Sequence, residues 1–327
     1  MKKNYLLLIL FSFCLFSCVD KSKKTIPTTS GKINSISILI DDELWNGEIG
    51  DSIRNKFAAP VIGLPQEEPI FNINQYPVKL LEGYSSNSRN IIIVKKEAKS
   101  RYEFIENEYA KPQNVVHISG KSLLEILDTI QKNAPSIIER IRKTEISEFQ
   151  KSIRKSLFDN KKRIKRFNIF MAIPKSYKFV LQRNKFVWLK KEITSGSNSL
   201  LIYQVPIYTV KQDKNILASI IKMRDSIGNL YIHGKVRNSK MVSETTFVPF
   251  FNKISLSGKD AFETRGTWEM QNDFMSGPFL NYCIFDKTHN RIIVLEGFCY
   301  APSKEKRDLM FELESIIKSI KFIKIKK

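Results

Sequence analysis

Cys18 is the residue whose type and position point most directly to chemistry. It follows Leu15, Phe16 and Ser17 at the end of a 12-residue stretch (5–16) that is apolar except for Ser12, and Lys2 and Lys3 precede that stretch. A basic head, an apolar run shorter than the ~20 residues of a spanning helix and a small residue before the cut make up a secretory signal. Leu15-Phe16-Ser17-Cys18 has the form of a bacterial lipobox. In such a segment the cysteine sulfur takes a lipid, and cleavage leaves that cysteine first. Residues 1–17 are therefore expected to be removed. Two or three acyl chains, at ~0.8 kcal/mol per buried methylene, would then hold the chain stably to a membrane. Val19 carries no acidic retention signal, so the periplasmic face of the outer membrane is the expected location.

Other reactive residue types are sparse. Gly120-Lys121-Ser122 ends like a phosphate-binding loop, but the full pattern needs a glycine five residues earlier, where the chain has Val115. Without it, too few free amides exist to wrap a phosphate. A capped helix start explains the triplet. The three histidines, His117, His233 and His289, lack a second ligand at zinc spacing, and no Gly-x-Ser-x-Gly elbow occurs. No cofactor or metal is expected. Two polar-aromatic clusters remain as candidate binding residues: Trp45, Glu48, Asp51 and Arg54 near the start, and Arg265, Trp268, Glu269 and Asp273 near the end. Glycines beside tryptophan and charge can shape a concavity. They can equally form a helix start and a turn, with Arg265 paired to a carboxylate.

Charge narrows the partners. The chain has 54 Lys and Arg against 33 Asp and Glu; loss of Lys2 and Lys3 with the signal leaves 52 against 33, or +19. Such a surface suits nucleic acid, anionic lipid or an anionic polymer. Export puts nucleic acid out of reach, which leaves an anionic envelope component or another envelope protein. The densest tract is 140–166, with eleven Lys or Arg against three acids, including the patch Lys161, Lys162, Arg163, Lys165 and Arg166. Cys283 and Cys299 are the cysteines that outlast the signal and the lipid. A hairpin centred on Thr288-His289 would set Cys283 opposite Val294, out of register with Cys299, so two buried free thiols are expected over a disulfide.

The elements that must position these residues follow from hydrophobic periodicity. Residues 18–34 have little to bury and read as a flexible tether. An N-terminal α/β domain is expected over 35–160: strands near 36–40, 70–73, 90–94 and 115–118, a helix carrying Leu44, Ile49, Ile53 and Phe57, and a helix capped by Ser122 with Glu125. Pro135 is expected to open a further, basic helix. A C-terminal domain is expected over 161–327, with strands at 167–173, 186–189 and 200–203, then a helix capped by Asp213 and ending at Gly228. Alternating residues at 262–271, a hairpin over 279–299 and a helix capped by Ser303 complete it. The predicted class is α+β: two α/β-type layers, the second an antiparallel sheet covered by the terminal helix.

Several segments resemble a family of uncharacterised envelope lipoproteins, the domain of unknown function 4837. They are 44–51, 64–69, Phe186-Val187-Trp188, 265–279, Ala301-Pro302 and Lys306-Arg307-Asp308. The turn before Pro278 carries two glycines in that family, where this chain has Ser276 and Gly277. The resemblance implies a lipidated envelope protein and assigns no catalytic residue. The expected function is thus a membrane-anchored, non-enzymatic binding or scaffold protein of the cell envelope. The alternative is a periplasmic hydrolase or small-molecule sensor.

Overall fold

The computed structural model describes residues 26–82, 85–158, 164–210 and 215–323. Its first lobe is a five-stranded sheet in the order β2-β1-β3-β5-β4, from β1 (Ser35–Leu39), β2 (Asn72–Tyr76), β3 (Asn90–Lys96), β4 (Arg101–Glu106) and β5 (Asn114–Gly120). Four strands are parallel and β4 closes one edge antiparallel. Strand β3 carries the apolar run Ile91 to Val94, and β5 carries Val115, Val116 and Ile118 with His117 between them, because both faces are covered. Ile92, Val94, Val116 and Ile118 pack against helices, while Leu39, Ile91, Ile93 and Val115 pack on the other face with Tyr76 and Tyr109.

The helix expected after β1 is two: α1 (Asp42–Trp45) and α2 (Glu48–Phe57). At Gly50 a Cβ would lie 1.8 Å from the Trp45 carbonyl oxygen, so only glycine lets the two helices fold back so tightly. The helix break expected at Pro135 is absent. One 32-residue helix, α3 (Leu123–Arg154), runs through it. The buried stripe Ile130, Ala134, Ile137 and Ile141 stays in register across the proline, and the missing amide falls on an exposed side where water can replace it. At its start Glu125 N donates to Ser122 Oγ at 3.2 Å and Lys121 N to Glu125 Oε2 at 3.0 Å. The chain's own carboxylate occupies the place a phosphate would need.

The second lobe is an eight-stranded antiparallel sheet. Seven strands run in the order β10-β12-β13-β14-β9-β8-β7, and β11 also pairs with β12. They are β7 (Lys178–Arg183), β8 (Phe186–Ile193), β9 (Gly196–Pro206), β10 (Lys240–Ser243), β11 (Phe250–Leu256), β12 (Lys259–Gln271), β13 (Ser276–Asp286) and β14 (Arg291–Tyr300). Of the strand expected at 167–173 only β6 (Ile169–Phe170) pairs, with β15 (Lys321–Phe322). Helix α4 (Ile216–Tyr231) covers one face and α5 (Arg307–Ile317) the other.

The hairpin register is as expected, Cys283 opposite Val294. Pleating puts Cys283 in the core under α4 and Cys299 in the core under α5, so both thiols are free and buried. Burial pushes both up, Cys299 to about 12. Two expectations about helix ends are corrected. Helix α4 continues past Gly228 to Tyr231, because that glycine is where the Met241 carbonyl passes: a Cβ there would lie 2.4 Å from its oxygen. The Asn215 side chain accepts from Ala218 N at 2.9 Å and caps the start, while Asp213 lies outside the described residues.

Helix α5 begins at Arg307 and is not capped by Ser303. Glu68, from the first lobe, accepts from Lys306 N at 2.7 Å and from Arg307 N at 2.7 Å. A buried carboxylate on a helix N-terminus satisfies orphan amides and opposes the dipole. Arg307 reaches back to the Pro69 carbonyl and Asn72 Oδ1, and Asn34 Nδ2 donates to Asp308 Oδ1. The tail of the expected tether also lies along the first lobe: Thr28 bridges Lys111 and Ser30 bridges Ser88.

Candidate functional site

The two clusters singled out from the sequence do not converge. Trp45, Asp51 and Arg54 form a local knot: the Arg54 guanidinium sits 4.4 Å over the Trp45 ring and 2.7 Å from Asp51. Both charges are substantially exposed, so the ion pair contributes little and the ring contact ~0.5–1 kcal/mol. Glu48 stands exposed in the first turn of α2. In the second cluster β12 separates neighbours by its pleat. Trp268 is buried under α4, its Nε1 donating to the Cys299 carbonyl at 3.2 Å. Glu269 is exposed, and Asp273 holds a turn by accepting from Lys235 N and Phe274 N. Ser276 lies in extended β13 and is not among the residues with positive φ, so a second glycine there is not required.

Arg265 points to the α5 face and joins an ion cluster between the lobes. It lies 2.6 Å from Glu263 and 3.1 Å from Glu314, which also takes Arg142 of α3 at 2.7 Å and Lys318 at 2.6 Å. Burial alone would raise the Glu314 carboxyl, but Arg265, Arg142 and Lys318 hold it far below the usual carboxylate range. Burial would lower Arg265, and Glu314 with Glu263 reverses that, raising it well above its ordinary value. These groups fasten α3, β12 and α5 together.

Of the expected basic patch, Lys161, Lys162 and Arg163 lie outside the described residues. Lys165 is exposed, and Arg166 donates to the Phe186 carbonyl at 3.2 Å.

A concavity suited to a ligand lies elsewhere, between α4 and the edge of the second sheet. It is a groove of about 680 Å³ walled by Leu217, Ala218 and Ile221 of α4, Val242 of β10 and Phe247, Val248 and Pro249 of the 244–249 loop. Phe247 is 73% and Val248 86% exposed, an apolar lip on an otherwise polar loop. Asp225 and Ser243 line its polar part. Asp225 Oδ1 accepts from Ser243 N and Oγ, both at 2.7 Å, and Arg224 Nη1 donates to Ser243 Oγ at 2.8 Å. The Ser243 and Met241 amides of edge strand β10 are thereby satisfied, Met241 N going to the Ile232 carbonyl.

Arg224 also connects the groove to the core. It lies 3.0 Å from Glu296, each residue 1% exposed, with its guanidinium 3.8 Å over the Phe279 ring. Glu296 belongs to a polar row, Thr264, Asn281 and Glu296, adjacent on β12, β13 and β14 in an otherwise apolar face. Asn281 Nδ2 donates to Glu296 Oε2 at 2.8 Å. Burial raises the Glu296 carboxyl more than Arg224 and Asn281 lower it. The Arg224 Nε–Glu296 Oε1 contact is close but misaligned as a hydrogen bond, and Tyr203 Oη and Thr264 Oγ1 are buried without partners. Sequence reasoning missed this site. Its one signal was a threonine, an asparagine and a glutamate at inward positions of otherwise apolar strands.

Fold and site define a two-lobed α+β protein: a mostly parallel sheet joined by a long helix to an antiparallel sheet that carries a side groove. The chain belongs to the family described as Domain of unknown function (DUF4837), whose model matches residues 156–319 and so the whole groove-bearing sheet. Residues 29–154 match a second family, Domain of unknown function (DUF8532). The segments 44–51 and 64–69, expected to belong with the first family, therefore fall in the second. Curated proteins give no match. Among solved structures, the chain is similar to the Saccharomyces cerevisiae Ran-binding protein Mog1p, at 7% identity and TM-score 0.31, over 48% of this chain and 90% of that one. It is also similar to LpqN, involved in cell envelope biogenesis in Mycobacterium tuberculosis, at 10% identity and TM-score 0.28, over 47% and 82%. No helix among the described residues is long and apolar enough to cross a membrane.

Proposed function

We propose that this chain is a non-enzymatic binding protein of the bacterial cell envelope, anchored at the periplasmic face of the outer membrane through acylated Cys18, and that the α4 groove takes its ligand. The observation that carries the binding reading is the groove: its volume is that of a small-molecule site, with an apolar wall and a polar end. An amphipathic molecule fits this lining, its apolar part along Ile221, Val242 and Val248 and its polar part towards Asp225 and Ser243. The groove favours the small-molecule sensor over the hydrolase as the alternative. The Asp225 carboxylate and Ser243 hydroxyl, which a hydrolase would use, are engaged with each other and with Arg224.

N-phenyl-1-naphthylamine, a neutral apolar fluorophore, should bind saturably with blue-shifted emission. Val248→Asp should weaken it by about tenfold or more, the value of burying a valine-sized surface. Unsaturable binding, or binding indifferent to Val248→Asp, would overturn the assignment of the groove. The anchor is tested separately by mass spectrometry of the N-terminal peptide: a lipid-bearing Cys18 is expected, and an unmodified thiol would remove the anchor.

A further inference from the structure

We infer that a second concavity, on the first lobe, rests on the anionic phospholipid surface of the membrane that holds the anchor, an inference that relies on the anchored reading above. This concavity of about 360 Å³ lies between the 106–114 turn and α3 and is lined by Lys111, Arg140, Lys143 and Lys151 with Glu106 and Glu148. Arg140, Lys143, Ser147 and Lys151 follow one another at steps of three and four, so they share one face of the helix. Glu106 lies 3.6 Å from Arg140, and Glu148 lies 2.5 Å from Lys151. Lys111 and Lys143, both exposed, have no carboxylate partner among the described residues. Four cations against two carboxylates leave a positive hollow open to solvent.

The path of the chain ties this hollow to the bilayer. Lys111 N donates to the Pro27 carbonyl at 2.8 Å and Thr29 N to the Lys111 carbonyl at 3.3 Å, so the first described residues of the chain lie at the rim of the hollow. Pro27 is nine positions after Cys18. At no more than ~3.6 Å per residue the backbone of the lipid-bearing cysteine is within about 32 Å of that rim. A cationic hollow held this close to a phosphate-bearing surface is drawn onto it, each Lys or Arg adding about fivefold to partitioning. The lipid thus sets which face of the protein meets the membrane, and the α4 groove stays on the other lobe.

The lipidated protein is reconstituted into vesicles of phosphatidylcholine alone or with phosphatidylglycerol added, and amide hydrogen exchange is followed at 106–114 and 140–151. Docking predicts protection of both segments in the phosphatidylglycerol vesicles only, lost at raised salt and lost in Lys111→Gln/Lys143→Gln/Lys151→Gln. A control variant, Lys235→Gln/Lys253→Gln/Lys287→Gln on the second lobe, should keep it. Equal exchange in both vesicle types, with the protein still co-floating, overturns docking and leaves the anchor intact. Failure to co-float with phosphatidylcholine vesicles overturns the anchor instead. Protection retained in the Lys111 triple variant also overturns the assignment to this hollow.

Discussion

Glu314→Gln is expected to cost about 3–5 kcal/mol of stability at neutral pH, because it removes the anion from a buried cluster and leaves Arg265, Arg142 and Lys318 facing one another. Urea unfolding checks this, and a loss under about 1 kcal/mol would show that the cluster is a solvated surface network. The pH dependence adds a second reading. The folded carboxyl lies below its ordinary value of 4.5, so its contribution is complete above that value and drains away as pH falls below it. The wild-type protein should therefore lose stability on acidification below about pH 4.5 more steeply than Glu314→Gln, whose side chain does not titrate.

The second large effect concerns the pair beneath the groove. Arg224→Met should cost about 3–5 kcal/mol at pH 7 by leaving Glu296 in the core without its cation. Here the sign is opposite. Burial raises the Glu296 carboxyl, so its folded form favours the proton, and the variant should lose stability as pH rises from about 4.5 towards neutrality. Arg224→Met/Glu296→Leu should recover to within about 1 kcal/mol of wild type, since a buried pair replaced by apolar groups of similar volume is close to neutral. If the double variant is as unstable as the single one, the pair is a packing element whose charges are incidental. Its loss should also release Ser243 Oγ from Arg224 while leaving it bonded to Asp225, and both line the groove, so the naphthylamine affinity of the double variant reports on the coupling between core and site.

Local signals in the sequence were legible. The Ser122–Glu125 cap, the alternation along β12, the Cys283–Val294 register and the buried stripe of α5 are each set by residues within a few positions or one hairpin of each other. The failures share a different cause. The local preference of Pro135 predicts a helix break, yet the apolar stripe on either side overrides it. Ser303 looked like a cap because the true one, Glu68, is 238 positions away in the chain. Strands β4, β10 and β11 are short or edge strands with weak alternation, and the groove is assembled from α4, β10 and a loop whose only mark is Phe247-Val248 among polar neighbours. In the tryptophan clusters aromatic and charged residues stand side by side in sequence, and in β12 that adjacency is what the pleat undoes.

The carboxylate of Glu68 on the first turn of α5 bears on how such a chain matures. A polypeptide is synthesised amino end first, so the early sheet can assemble while the late helix is still being made. That helix, which closes one face of the second sheet, finds its terminal amides answered only by a residue already folded. The first lobe thereby acts as a built-in template for the last step of the second, and a chain cut between the lobes would lack the cap that starts its final helix.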